Sequence, residues 1–307
     1  MIDILLATYN GEKYIRQQLD SLLSQDTFDI KIIIRDDGST DGTNNILEEY
    51  VQKYTEKIEL INDEQKICGA TSNFMLLMKY AKADYVMFCD QDDVWNSNKI
   101  SVSLNVMKNA ESKYGANCPL LVYTDYTIVD ENLNVRNQSK KGNMVYKHYS
   151  TLNRLLIQNY VTGCTMLINK PLLELSRVDY SKEILMHDWW IALCASAMGQ
   201  IIYENQSTMF YRQHVGQSVG AINVKDPRYI WYKFTNPETR KMDKKCIKQA
   251  EFFLSIYENR LEIDKQELVK DFISIGNYSK IVRIIRLVKG RFFKSNLIRI
   301  IGQIVYI

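Results

Sequence analysis

At 307 residues, 46% of them hydrophobic, the chain has room for one large α/β domain with an appendage, or for two small domains. A net charge of +3 supplies no global field for nucleic acid, which is not expected as a partner. The six cysteines are scattered without a Cys-x-x-Cys pair, and several sit in apolar runs and read as buried thiols, which fits a reducing cytoplasm better than a disulfide framework.

The N-terminus lacks a basic region and goes straight into a strand, so no signal peptide is expected. No apolar run approaches the ~20 residues of a membrane-spanning helix. Ile2 to Ala7 is a continuous apolar run, as a buried parallel strand would be. Thr8-Tyr9-Asn10-Gly11 breaks it with turn chemistry, and helical spacing follows at Tyr14, Ile15, Leu19, Leu22 and Leu23. Asp29 to Arg35 predicts a second strand, ended by Asp36-Asp37-Gly38-Ser39-Thr40-Asp41-Gly42, with Ser39 or Thr40 as cap of the next helix. Ile58 to Asn62 predicts a strand, Ala70 to Ala81 a helix and Tyr85 to Cys89 a strand. This alternation means βαβ units and a parallel sheet, whose ligands bind at the carboxyl ends of the strands.

Asp90-Gln91-Asp92-Asp93 follows the fourth strand and places three carboxylates within four residues. Charges this close repel, and a hard divalent cation with oxygen ligands offsets the repulsion. Mg²⁺ takes one or two protein carboxylates and completes its shell with water and substrate phosphates, so a strand ending in Asp-x-Asp suggests a metal–diphosphate site. Read alone, the same residues suit a solvated acidic turn. A second acidic cluster, Asp36-Asp37, falls on the same predicted rim.

Further on, Lys99 to Tyr114 predicts an amphipathic helix and Leu120 to Tyr126 a strand. Asn132 to Tyr149 reads as a mobile excursion. Val161 to Ile168 predicts a strand with Gly163 near its start, and His187 begins a helix running to Ala197. Gln200 to Tyr203 and Thr208 to Tyr211 predict the last strands. Helical, charged sequence then runs to about Phe272, giving domains at 1–220 and 221–307. Ser279 to Ile307 carries seven Lys and Arg among apolar residues and no acid. It reads as a basic amphipathic helix at a membrane surface, because its basic residues lack acidic partners.

The succession Ala7-Thr8-Tyr9-Asn10-Gly11, Arg35-Asp36-Asp37-Gly38-Ser39-Thr40-Asp41 and Cys89-Asp90-Gln91-Asp92-Asp93 resembles the inverting family 2 glycosyltransferases of GT-A fold. Asn73-Phe74, Phe88 to Trp95, His187-Asp188-Trp189-Trp190 and Tyr211-Arg212-Gln213-His214 resemble the bacterial rhamnosyltransferase-type branch. The resemblance covers about residues 1–220. It implies an α/β GT-A fold, Rossmann-like, with a mainly parallel central sheet flanked by helices and a C-terminal helical appendage.

It further implies that Thr8, Tyr9 and Asn10 line a nucleotide pocket. One of Asp36 and Asp37, with Asp36 favoured, takes the base N3–H or a ribose hydroxyl. Asn73 contributes to the nucleotide wall, and Gln91 belongs to the nucleotide-sugar site. Asp90 and Asp92 form the Asp-x-Asp site, with Asp92 the more direct ligand of Mn²⁺ or Mg²⁺ and His214 a further ligand. Asp188 is the catalytic base. Many relatives have Glu-Asp where this chain has His187-Asp188, which leaves open whether His187 assists or positions Asp188. Read alone, Asp188 is also a reasonable helix cap.

The implied activity moves a sugar, dTDP-rhamnose being the first donor, to a lipid-linked or polysaccharide acceptor at the cytoplasmic face of the membrane. The rivals are a UDP-hexose transferase of the same fold, a nucleotidyltransferase and a non-catalytic membrane scaffold. The nucleotidyltransferase needs a glycine- and lysine-rich phosphate loop, and Thr8 to Lys13 holds one glycine.

Overall fold

The computed structural model describes residues 1–26, 29–63, 69–137, 150–214, 237–295 and 297–306. The four N-terminal strands β1 (Ile2–Thr8), β2 (Ile30–Asp36), β3 (Ile58–Leu60) and β4 (Tyr85–Asp90) lie side by side in the order β3-β2-β1-β4. All these pairs are parallel. Leu5 and Leu6 of β1 are buried completely, as expected of a strand covered on both faces. The crossovers are α1 (Ile15–Leu23), α2 (Thr43–Lys53) and α3 (Ala70–Tyr80). Both acidic loops therefore leave the same edge of the sheet, as the alternation requires.

Beyond β4 the sheet is mixed. β8 (Met166–Asn169) is antiparallel to both β4 and β6 (Leu120–Val129), and β9 (Gln200–Arg212) is parallel to β6. The two-residue β5 (Val94–Trp95) pairs with β9, and β7 (Val135–Asn137) pairs with β6. The two strands expected between Gln200 and Tyr211 are one strand. Its register against β6 shifts between Thr124 and Thr127, which absorbs the polar stretch Glu204 to Ser207 as a bulge.

The strand expected from Val161 is mostly a turn. A short helix α5 (Leu152–Leu155) and a 3₁₀ turn Gly163–Thr165 precede β8, and the Thr165 hydroxyl donates to Thr162 O at 2.6 Å. Neither Ser39 nor Thr40 caps α2, whose N-cap is Gly42, because Ser39 bonds within the loops described below. Residues 138–149 of the expected excursion, and the boundary expected near residue 220, lie outside the described residues.

Between α4 (Lys99–Tyr114) and the C-terminal part lie α6 (Lys170–Ser176) and α7 (His187–Met198). α7 is apolar around most of its circumference and correspondingly buried, with Trp190 fully enclosed. The C-terminal helices α8 (Pro237–Tyr257) and α9 (Ile263–Ser274) share that core. Phe253 and Tyr257 pack on Trp190. The basic tail is two helices, α10 (Lys280–Gly290) and α11 (Leu297–Tyr306), rather than one. Arg291 ends α10 in the left-handed region at φ 54°, and the chain turns so that Phe292 enters the core beside Phe272. The expectation that the tail's basic residues lack acidic partners fails at Arg286, which reaches Asp271 at 2.7 Å. No described helix is long and apolar enough to cross a membrane.

Candidate active site

Two loops at the carboxyl ends of β1 and β2 are locked together. The Thr8 hydroxyl donates to Asp36 Oδ1 at 2.8 Å. Asp36 also accepts from the Ser39 hydroxyl (2.6 Å) and from the N–H groups of Gly38 (3.0 Å) and Ser39 (2.7 Å). A carboxylate has about four acceptor positions, so Asp36 is occupied by its own loop. Asn10 sits at φ 48°, a conformation that asparagine tolerates well. Its side-chain oxygen accepts from Thr40 N–H (2.8 Å), and its own N–H donates to Ser39 Oγ (2.7 Å).

The acidic turn joins this pair of loops through Gln91. Its amide accepts from Tyr9 N–H at 2.8 Å and donates to Tyr9 O at 2.9 Å, leaving the Tyr9 residue 55% exposed. The close approach needs Gly11, since a Cβ there would lie 2.3 Å from Gln91 Oε1.

Asn73 lies beneath the rim, buried, and holds Arg35. Its amide donates to Arg35 O (3.1 Å) and accepts from Arg35 Nη1 (3.2 Å). Arg35 grips Asp63 with Nε and Nη2 and reaches Asp37 at 3.4 Å. Its partnership with Asp63 raises the guanidinium pKa above its ordinary value. Asp37 also accepts the Gly69 N–H at 2.6 Å. Asp63 and Gly69 carried no sequence signal, since neither stands in a motif.

On the other side of Gln91, His214 Nε2 lies 2.7 Å from Asp92 Oδ2, although 122 positions separate the two residues. Asp93 is fully buried and accepts the Arg212 N–H at 3.1 Å. The Arg212 guanidinium donates to Asp92 O (2.7 Å), Glu131 O (2.6 Å) and Gln17 Oε1 (2.5 Å), and lies over the Tyr14 ring. Asp90, Asp93 and Cys164 offer ligand atoms within 4.8 Å of one another.

Burial, then the charges of Asp92 and Asp188, pushes the Asp90 carboxyl up to about 7. Burial, then Asp92 and Asp90, pushes Asp93 well above the carboxylate range. The Oδ2 atom of Asp93 is buried without a hydrogen-bond partner. A cation at this turn would relieve the mutual repulsion, and carboxylate oxygens suit Mn²⁺ or Mg²⁺. Cys164, a soft donor, is the one member of the group that does not favour these ions.

Asp188 is the second residue of α7, and its two oxygens accept from the N–H groups of Gly163 (3.1 Å) and Trp189 (2.6 Å). Burial raises its carboxyl to about 7, with these two donors pulling against the rise. The α7 N-cap is Met186, so Asp188 lies within the first turn rather than at the cap. His187 is buried between Phe74 and Phe88, with ring centroids at 4.0 and 5.4 Å, and neither ring nitrogen has a hydrogen-bond partner. Burial lowers its pKa to about 3, so the imidazole is neutral. Gly163 passes close to both residues: a Cβ there would lie 2.8 Å from His187 Nε2 and 3.4 Å from Asp188 Cβ. Trp189 and Trp190 serve the core, their indole N–H groups bonded to Leu155 O and Ser176 O.

A mixed α/β sheet with two interlocked polar loops and an acidic turn on one rim, and a buried carboxylate at a helix start, is the frame of a GT-A glycosyltransferase. The family model described as glycosyl transferase family 2 matches residues 3–175, and the chain belongs to that family. The dTDP-rhamnosyl transferase RfbG of Shigella flexneri is 35% identical over 227 residues, 70% of this chain and 74% of that protein. An uncharacterized glycosyltransferase of Rickettsia typhi is 25% identical over 246 residues, 78% of this chain and 73% of that one. Among solved structures, S. aureus TarS 1-349 in complex with UDP-GlcNAc superposes with a TM-score of 0.57 at 17% identity, covering 99% of this chain and 90% of that one. The mannosyltransferase PcManGT from Pyrobaculum calidifontis, in complex with GDP-Man and Mn²⁺, gives 0.53 at 12% identity, covering 95% and 87%. The likeness to these two structures establishes a GT-A fold.

Proposed function

We propose that this glycosyltransferase is an inverting, metal-dependent enzyme that moves a sugar from a nucleoside diphosphate to a saccharide acceptor of cell-surface polysaccharide, with dTDP-rhamnose as donor. The donor assignment rests on the 35% identity to the dTDP-rhamnosyl transferase. The observation that carries the mechanism is the convergence of two acidic sites from separate elements. Asp188 on α7 accepts the Gly163 N–H, and Cys164, the next residue, offers its sulfur within 4.8 Å of carboxylate oxygens of Asp90 and Asp93.

The reading assigns roles as follows. Thr8, Asn10 and Asp36 shape the nucleotide wall, and the Tyr9 ring covers the base. Asn73 supports that wall through Arg35. Gln91 joins the wall to the turn. Asp90, Asp92 and His214 would hold Mn²⁺ or Mg²⁺, which when bound would supply positive charge to the diphosphate leaving group. Asp188 takes the proton of the acceptor hydroxyl as its oxygen bonds to the anomeric carbon. The bond from that carbon to the diphosphate breaks on the opposite face, and a single displacement inverts the centre. A base near pH 7 is well matched to this task, contributing about 10²–10⁴-fold.

The reading extends to the cell. The acceptor is lipid-linked, the enzyme is peripheral on the cytoplasmic face of the membrane, and residues 221–307 form the region that brings it there.

The test is release of nucleoside diphosphate from a panel of nucleotide sugars, with Mn²⁺, Mg²⁺ or EDTA. Metal-dependent release from dTDP-rhamnose alone is the expected result. Release from UDP-hexoses instead overturns the donor and keeps the chemistry. Absence of binding to any nucleotide sugar overturns the transferase mechanism.

A further inference from the structure

The two tail helices turn rows of apolar side chains outward. Ile281, Ile285 and Val288 stand exposed on α10, at 74%, 48% and 55%, in the spacing of one helix face. Leu297, Ile301 and Val305 repeat the pattern on α11 at 76%, 54% and 47%. The polar Gln303 of α11 is instead buried at 2%, its amide donating to Phe292 O. The two helices hold 21 residues yet carry seven of the fifteen exposed large apolar side chains among the described residues. A water-facing helix has the opposite arrangement.

The pair is nevertheless fixed in place. Lys280 Nζ donates to Val305 O, so the start of α10 meets the end of α11. Arg154 donates to Phe293 O at 2.6 Å, Asn153 to Gly290 O at 3.2 Å, and Gln158 pairs with Ser295. The apolar faces are thus presented outward by a docked element, and they are not a loose end awaiting a place in the core.

The charge around these faces selects what covers them. From Ser279 to Ile307 there are seven basic residues and no acid, and Lys280, Lys289 and Arg291 are exposed beside the apolar rows. An apolar stripe bordered by cations matches an anionic lipid surface. The docking segment also leads to the active site: five residues after Gln158 comes Gly163, whose N–H holds Asp188.

We infer that α10 and α11 together form an interfacial membrane-docking face that takes anionic phospholipid headgroups at its basic border and acyl chains at its apolar rows. The inference rests on the membrane association proposed above for residues 221–307 and names its surface and lipid; its test involves no turnover, so its failure leaves the transferase reading standing. The full chain is floated with vesicles of phosphatidylglycerol in phosphatidylcholine, and with phosphatidylcholine alone. Binding to the anionic vesicles and not to the neutral ones is expected, and raised salt weakens it. The paired variant Ile285→Asp with Ile301→Asp lowers the partition at least tenfold. Each of Lys289→Glu and Arg291→Glu lowers it about fivefold or more. These side chains are exposed, and circular dichroism checks the fold. Equal binding to neutral vesicles, no vesicle binding, or an oligomer that the paired aspartate variant dissociates in the absence of lipid overturns the inference. The last outcome assigns the face to a second copy of the chain.

Discussion

The His214 imidazole and the Asp92 carboxylate meet at 2.7 Å, joining the end of the last strand to the turn after the fourth. Removing either group takes one donor from the proposed metal site. Asp92→Asn and His214→Ala are each expected to weaken Mn²⁺-dependent nucleotide binding by tenfold or more. Calorimetric titration with and without Mn²⁺ checks this, and equal loss of metal-free binding would contradict it.

Asp188→Asn removes the base while its side-chain oxygen can still accept one of the two N–H donors. The expected loss is about 10²–10⁴-fold in kcat, with donor KM little changed. A parallel rise in KM would mean that Asp188 binds donor instead.

The pH dependence follows from the same residue. As the proposed base Asp188 acts in its ionised form, and burial raises its carboxyl to about 7, so kcat is expected to rise with pH up to about 7 and level off. Stability runs the other way. Between the ordinary value of 3.8 and about 7 the folded chain keeps a proton that the unfolded chain has lost. This contribution therefore stabilises the fold at the acid end of that window and fades as pH rises through it. Thermal melts at pH 5 and pH 8 check the sign, and Asp188→Asn should reduce the difference.

Gly163→Ala puts a methyl group 2.8 Å from His187 Nε2 and 3.4 Å from Asp188 Cβ. Both neighbours are buried, so the segment must shift and move the donor that holds the base. The expected result is a kcat lower by about tenfold or more, with donor affinity retained. His187→Ala in the Gly163→Ala background should recover part of the loss by opening that space, which a double-mutant cycle measures.

Asp36 accepts four hydrogen bonds from three residues. Asp36→Ala leaves those donors unmatched and is expected to destabilise the chain by about 2 kcal/mol while weakening nucleotide binding. Denaturant unfolding beside a binding titration separates the two effects.

The N-terminal half was legible because its signals are local: each strand is an apolar run, each turn a cluster of Asp, Gly, Ser and Thr. The rim carrying Thr8, Asp36 and Asp90 follows from that periodicity and from the rule for parallel sheets. The Asp92–His214 contact came from a motif resemblance, because no periodicity brings residues 122 positions apart together. Arg35 with Asp63 and Arg212 with Gln17 escaped notice altogether, since long-range buried pairs leave no pattern in a single chain. Val161 to Thr165 was misread as strand because β-branched composition outweighed Gly163, which tertiary contact with Asp188 draws into a turn. The tail was misread as one helix because Phe292, which fits an amphipathic pattern, points into the core.

Arg212 ties four distant stretches of chain: the α1 residue Gln17, the Asp92-Asp93 turn, Glu131 and the strand β9 that bears it. During synthesis the acidic turn is complete more than a hundred residues before this arginine emerges. Until then its carboxylates lack the group that fixes their main chain, and the loops around them close only by long-range contact, which is slow. The acidic turn consequently reaches its final geometry late, so a chain truncated before β9 would have the first rim of the cleft and an acidic turn without the arginine that fixes its main chain.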